Sequence, residues 1–166
     1  MPLASLHWLI KKRFRKDGIF INKQRVYNNT SSGKGVAGIL LSLIKAYRVI
    51  NDPLYKQIVE VNLRALPQRL ILLDFSLESG LAGLGELFLE AAIAFANPEW
   101  QERADWIAQV LLATFHHIGP DSGYWFVDAN NNLTADLGTG NSGVLHFLIR
   151  YQSSDRIGHP LCPNYY

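Results

Sequence analysis

Cysteine is nearly absent from this 166-residue chain: Cys162 stands alone. That excludes an internal disulfide and any metal centre built from several thiolates, and it fits a reducing, cytoplasmic setting. Charge is scarce as well, with 18% charged residues and a formal net charge of +2. So small an imbalance, with no Arg/Lys stripe interleaved with stacking aromatics, argues against nucleic acid as a partner. No apolar run approaches the roughly 18 unbroken residues that a membrane helix needs, so no membrane span is expected. The apolar start, residues 1–10, is short, and Lys11, Lys12, Arg13, Arg15 and Lys16 follow it instead of preceding it, the reverse of a secretory signal. That basic run could touch an acidic leader peptide, although a solvated helix end is the plainer reading.

Apolar residues, by contrast, make up 48% of the chain, enough for one domain with a substantial core. They are arranged in a repeat. Gly35-Val36-Ala37-Gly38-Ile39 returns 45 residues later as Gly80-Leu81-Ala82-Gly83-Leu84. Fifteen residues after each second glycine comes a proline, Pro53 or Pro98, preceded by Asp52 or Asn97 and followed two residues on by Tyr55 or Trp100. Asp-Pro and Asn-Pro begin helices, because the side-chain oxygen accepts an orphan N–H and the proline sits where no N–H is needed.

The segment from Val36 to Ile50 is apolar on almost every face and reads as a buried inner helix. The next has Leu54, Ile58, Val61 and Ala65 on one face and Lys56, Gln57, Glu60 and Arg64 on the other, as an outer amphipathic helix would. Each unit is thus an inner helix followed by an outer one, the hairpin from which helical toroids are built. A third copy opens at Gly140-Asn141-Ser142-Gly143-Val144. Gly18 and Gly123 each precede a unit's first glycine by 17 residues, heading the short inserts Gly18-Ile19-Phe20-Ile21 and Gly123-Tyr124-Trp125-Phe126. These inserts read as extended excursions, the aromatics of the second flooring a peptide groove or, as is usual for such inserts, covering the core. Inner helices are expected near 36–50, 81–96 and 141–151, and outer helices near 3–16, 53–66 and 98–116. The fold class is all-α, an α/α toroid of inner and outer helix pairs, partial in this chain and expected to be cut from something longer.

In these Gly-x-x-Gly turns the sequence resembles the lanthionine synthetase C-like cyclases, with residues 1–166 matching the last three or so repeats of the toroid. Ser79-Gly80-Leu81-Ala82-Gly83-Leu84-Gly85-Glu86 and Asp136-Leu137-Gly138-Thr139-Gly140-Asn141-Ser142-Gly143-Val144 are similar to the final two. The resemblance implies addition of peptide cysteine thiols to dehydroalanine or dehydrobutyrine, giving thioether rings. It implies a precursor peptide as partner, with Gly35, Ser79, Gly80, Gly140 and Asn141 at the peptide-binding turns. Zinc-dependent members take their ligands from the cysteine of a Trp-Cys pair and from a Cys-His pair, at positions that fall here on Ser32-Gly33 and Glu78-Ser79. Neither set of residues can hold zinc in the family's manner, so no metal and no cofactor is expected. The pattern is closest to zinc-independent synthetases of the class III type, or to an inactive toroid.

Among titratable groups, Glu78 lies in the turn where the family puts its metal, as a base or as a charge favoured by the helix dipole. His146, amid Leu145, Phe147 and Leu148, reads as a core histidine or a proton-transfer residue. His116-His117 reads as C-terminal charge on the outer helix. His159 and Cys162 read as part of a flexible tail that could make a thiolate pair. A non-catalytic peptide-binding scaffold is the alternative function. A glycan-active α/α barrel comes last, since the inner turns supply only Glu78 and Asp136 for it. Apolar faces left at the ends of a partial ring suggest self-association, or repeats supplied by a larger chain.

Overall fold

The two start signals act as their chemistry requires. In the computed structural model, which describes residues 35–69, 72–127 and 133–160, Asp52 Oδ1 accepts from Leu54 N at 2.9 Å and Asn97 Oδ1 from Glu99 N at 3.0 Å. A proline follows each cap at the head of its helix. The described elements are α1 (Val36–Ile50), α2 (Pro53–Ala65), α3 (Leu81–Phe95), α4 (Pro98–Ala113), β1 (His116–Gly119), β2 (Ser122–Tyr124) and α5 (Asn141–Gln152). The fold is all-α, with one antiparallel hairpin inserted. The helix expected near 3–16 and the insert at Gly18–Ile21 lie outside the described residues.

Both inner helices that lead into an outer one end on a left-handed residue, Asn51 (φ 57°) and Ala96 (φ 50°), so that the chain reverses at the same point of each unit. The outer helix α2 packs on α1 and α4 packs on α3, while α3 lies between α1 and α5. Inner helices therefore follow one another side by side, backed by outer ones, in the layering of a helical toroid. Tyr55 and Trp100, two residues after their prolines, are both buried and fill the space between the layers.

The buried stripe of α2 is Tyr55, Val59, Asn62 and Leu63, rotated from the one expected, with Val61 and Ala65 exposed. Burying the aromatic body of Tyr55 removes more apolar surface from water than Val61 or Ala65 could. Nor is α1 buried all round: Ile39, Val49 and Ile50 are exposed, because among the described elements α1 packs chiefly on α2 and α3.

The second outer helix is shorter than expected. Thr114 turns its hydroxyl back onto Val110 O (2.9 Å) and Leu111 O (3.1 Å), and the helix stops at Ala113. His116 and His117 are consequently strand residues opposite Tyr124 and Gly123, not a charged helix terminus. Of the insert's aromatics, Trp125 covers the core, buried and donating from Nε1 to Leu111 O at 2.7 Å, while Tyr124 and Phe126 are half-buried against His116. Among the described residues no helix is long and apolar enough to cross a membrane.

Candidate functional site

Gly35, Gly80 and Gly140 each cap an inner helix with an extended backbone, φ between −107° and −115°. Left-handed freedom is therefore not why glycine stands there. Close approach is. A Cβ on Gly83 would strike Leu77 O, and one on Gly143 would strike Leu137 O, in each case the carbonyl six residues upstream. The loop curls over the first turn of its helix so tightly that only hydrogen fits. Leu81 N donates to Asp74 O at 2.9 Å and Asn141 N to Thr134 O at 2.8 Å, so the two loops are one structure repeated 60 residues apart.

These loops touch. Glu78 N donates to Gly138 O at 2.9 Å, bringing the two turns edge to edge at the N-termini of α3 and α5. Their polar side chains are mostly committed within the loops. Asp74 accepts from Ser76 N at 2.8 Å and from the Ser79 hydroxyl at 2.6 Å. Asp136 accepts from Thr139 N at 2.6 Å and from its hydroxyl at 3.0 Å. The Thr139 backbone N–H, aided by its hydroxyl, holds the Asp136 carboxyl below the usual carboxylate range. Asn141 accepts from Trp125 N at 2.7 Å and donates to Trp125 O at 3.1 Å and Thr134 O at 3.2 Å, tying the insert to the third inner helix.

Of the residues read as peptide-binding, Gly35, Gly80 and Gly140 are buried and Ser79 and Asn141 serve the turns' own geometry. Glu78 is exposed on the same edge. Glu78 and Asp136 thus stand on adjoining turns. At the two described positions where zinc-dependent relatives carry ligands, the donors are one carboxylate and one hydroxyl already given to Asp74, which does not suit zinc. Among the described residues no group of three His, Cys, Asp or Glu converges in a way that could hold a metal ion. Ser32, Gly33 and Cys162 lie outside the described residues.

A second polar cluster was not read from the sequence. Phe88 stacks on Trp100 of α4, with ring centroids 6.3 Å apart. Glu90, two residues on and about 200° around the helix, therefore faces away from the outer layer. Lys45, Glu90 and Arg150 each come ten residues after the first glycine of their unit, and they meet on this inner face. Lys45 Nζ lies 2.7 Å from Glu90 Oε2, and the Arg150 guanidinium binds both Glu90 and Glu86. Arg48 approaches Glu90 at 3.8 Å, and His146 Nδ1 lies 3.3 Å from Glu86 Oε1. His146 is thus a half-buried partner of a carboxylate, not a residue enclosed by apolar neighbours.

Burial alone would raise the Glu90 carboxyl, but the hydrogen bond from Lys45 and the charges of Arg150 and Lys45 outweigh it and hold it below the usual range. Nor is His159 in a flexible tail. The chain after α5 folds back, Arg150 Nε donating to Ile157 O at 3.0 Å, and His159 is buried, lining a small cavity together with Ala37, Leu41, Leu77, Gly83, Glu86 and Leu87. Burial lowers its pKa to about 4, against the opposing pull of Glu86. The signal lay in the sequence of α3: Glu86 and Glu90 interrupt an otherwise apolar helix, and carboxylates in such a helix must find cations.

The family model described as lanthionine synthetase C-like protein matches residues 3–163. No curated protein matches the chain.

Proposed function

The chain belongs to the lanthionine synthetase C-like family, and from that premise we propose that it binds a dehydrated, cysteine-bearing precursor peptide and promotes thioether ring formation without zinc. We assign residues 1–166 to one such domain, the last three or so repeats of the toroid, working in the cytoplasm. The observation that carries the reading is the pair of turns joined by the Glu78 N to Gly138 O bond. It sets two inner-helix N-termini side by side with the exposed Glu78 carboxylate on their rim. Gly80, Ser79, Gly140 and Asn141 belong to those two turns and Gly35 caps the neighbouring inner helix, so a peptide laid along the edge would meet backbone and Glu78.

In the reaction a cysteine S–H adds across the Cα=Cβ bond of dehydroalanine or dehydrobutyrine. The thiol is mostly protonated at neutral pH and is a weak nucleophile until the proton is removed. With a carboxylate and a committed hydroxyl at the described metal positions, proton transfer falls to side chains of this chain, Glu78 and His146 being the candidates.

A synthetic peptide carrying one cysteine and one dehydroalanine tests this. Ring formation removes a free thiol without changing mass, so thiol alkylation followed by mass spectrometry reads it directly. Rings are expected above the uncatalysed rate and undiminished by a zinc chelator. Binding without rings would favour the second reading, a non-catalytic scaffold, for which the commitment of the Ser79 hydroxyl to Asp74 speaks. A chain that does not bind the peptide would sink both.

A further inference from the structure

His146 occupies the place in its unit that Glu86 holds in the preceding one and Leu41 in the one before. A site needed only for packing would stay apolar. Instead two successive inner helices carry ionisable groups there, and the groups meet, His146 Nδ1 at 3.3 Å from Glu86 Oε1. Glu86 cannot turn away, because its other oxygen is bound by Arg150, and Arg150 is fixed in turn by Glu90 and by Ile157 O. The Glu86 side chain is 1% exposed, whereas 26% of the His146 side chain is open. An ionised carboxylate only accepts, so the ring nitrogen facing it must carry hydrogen. In the neutral ring that leaves Nε2 with a free lone pair.

We infer that Glu86 is a positioning residue that fixes the His146 ring so that Nε2 takes the proton from the peptide thiol. This rests on the thioether chemistry proposed above. The thiol S–H bond breaks, its proton passing to Nε2. The sulfur electron pair forms the S–C bond at Cβ of the dehydro residue, and the π pair moves to Cα as an enolate. The imidazolium returns the proton to Cα, so the sum is addition of S–H with nothing left over. Glu86 is the charged group that faces the ring, and behind it the same cluster holds Arg150 from α5, Glu90 from α3 and, through Glu90, Lys45 and Arg48 from α1, with His159 of the returning segment beside Glu86. Lys45, Arg48 and Arg150 outnumber the two carboxylates, so the cluster that holds Glu86 carries a net positive charge and favours its ionised, accepting form.

The full chain, acting on the one-cysteine, one-dehydroalanine peptide, provides the test. His146→Gln is expected to lower kcat about 100-fold, and Glu86→Gln about 10-fold, with KM little changed in either. A structural role for Glu86 would not by itself set the histidine tautomer, so nitrogen NMR of histidine-labelled protein gives the second readout. His146, assigned by its loss in His146→Gln, should show hydrogen on Nδ1 in the wild type and a mixed form in Glu86→Gln. The wild-type spectrum stands even if Glu86→Gln does not fold, and hydrogen on Nε2 there would overturn the inference. Rings made equally fast by the wild type and His146→Gln would overturn this inference alone. A wild-type protein that makes no rings would overturn the proposed function and the base role with it.

Discussion

At the scale of single residues, His159 shows how a side chain near the end of the chain can govern the acid stability of the inner face. Its folded pKa is about 4, against 6.5 for a free histidine, chiefly because burial disfavours the charge. As the pH falls below 6.5 the unfolded chain takes up this proton while the folded chain does not. The contribution is therefore complete above about pH 6.5 and is lost progressively down to about pH 4. Glu90, whose carboxyl is held below its ordinary 4.5 despite burial, adds a further loss at the acid end. Urea unfolding between about pH 7 and pH 4 should lose on the order of 3 kcal/mol to His159. His159→Gln should flatten that part of the profile while leaving the loss below about pH 4.5 in place. A variant profile as steep as the wild type's between about pH 6.5 and 4.5 would place the titration on another group.

At the scale of elements, the sequence was most legible where local chemistry decides the outcome. Asp52-Pro53 and Asn97-Pro98 start helices through bonds to their own neighbours, so no distant contact could overrule them. The end of α4 was not legible in the same way. Val110, Leu111 and Leu112 continue the helical pattern, and the stop depends on Thr114 turning back and on a strand partner at Tyr124 and Gly123. His159 was missed for a related reason, since it is buried beside a small cavity lined also by Ala37 and Leu41, which are far away in sequence. The glycines lay between these cases. Their register gave the repeat, but their physical role, a loop carbonyl resting on the first helical turn, needed coordinates. Gly83→Ala tests that role. The added methyl would strike Leu77 O, which is backbone and cannot swing aside. A loss of about 3 kcal/mol in chemical denaturation is expected, where an ordinary helical Gly→Ala change would stabilise by roughly 1 kcal/mol. A neutral or stabilising result would mean that the loop moves away freely.

At the scale of the whole molecule, Lys45, Glu90 and Arg150 occupy one place in three successive units and alternate in charge. Turns and caps of nearly the same sequence could let any inner helix pack beside any other. A buried carboxylate between two cations satisfies every charge only in orders that keep the helix of Glu90 in the middle. Such a layer need not add stability, because the cost of taking ions out of water offsets much of their attraction. Two substitutions separate specificity from stability. Glu90→Gln leaves Lys45 and Arg150 facing each other without their shared anion and should cost about 3–5 kcal/mol. Replacing Lys45, Glu86, Glu90 and Arg150 together by methionine removes every charge of the layer and its nearest partner, and should cost less than Glu90→Gln alone. Chemical denaturation compares the two directly. The fourfold variant should also show broader amide signals in NMR, as neighbouring repeats lose the contact that fixes their register. If it proves less stable than Glu90→Gln, the layer holds the arc together by net attraction, and its role in ordering the repeats would have to be abandoned.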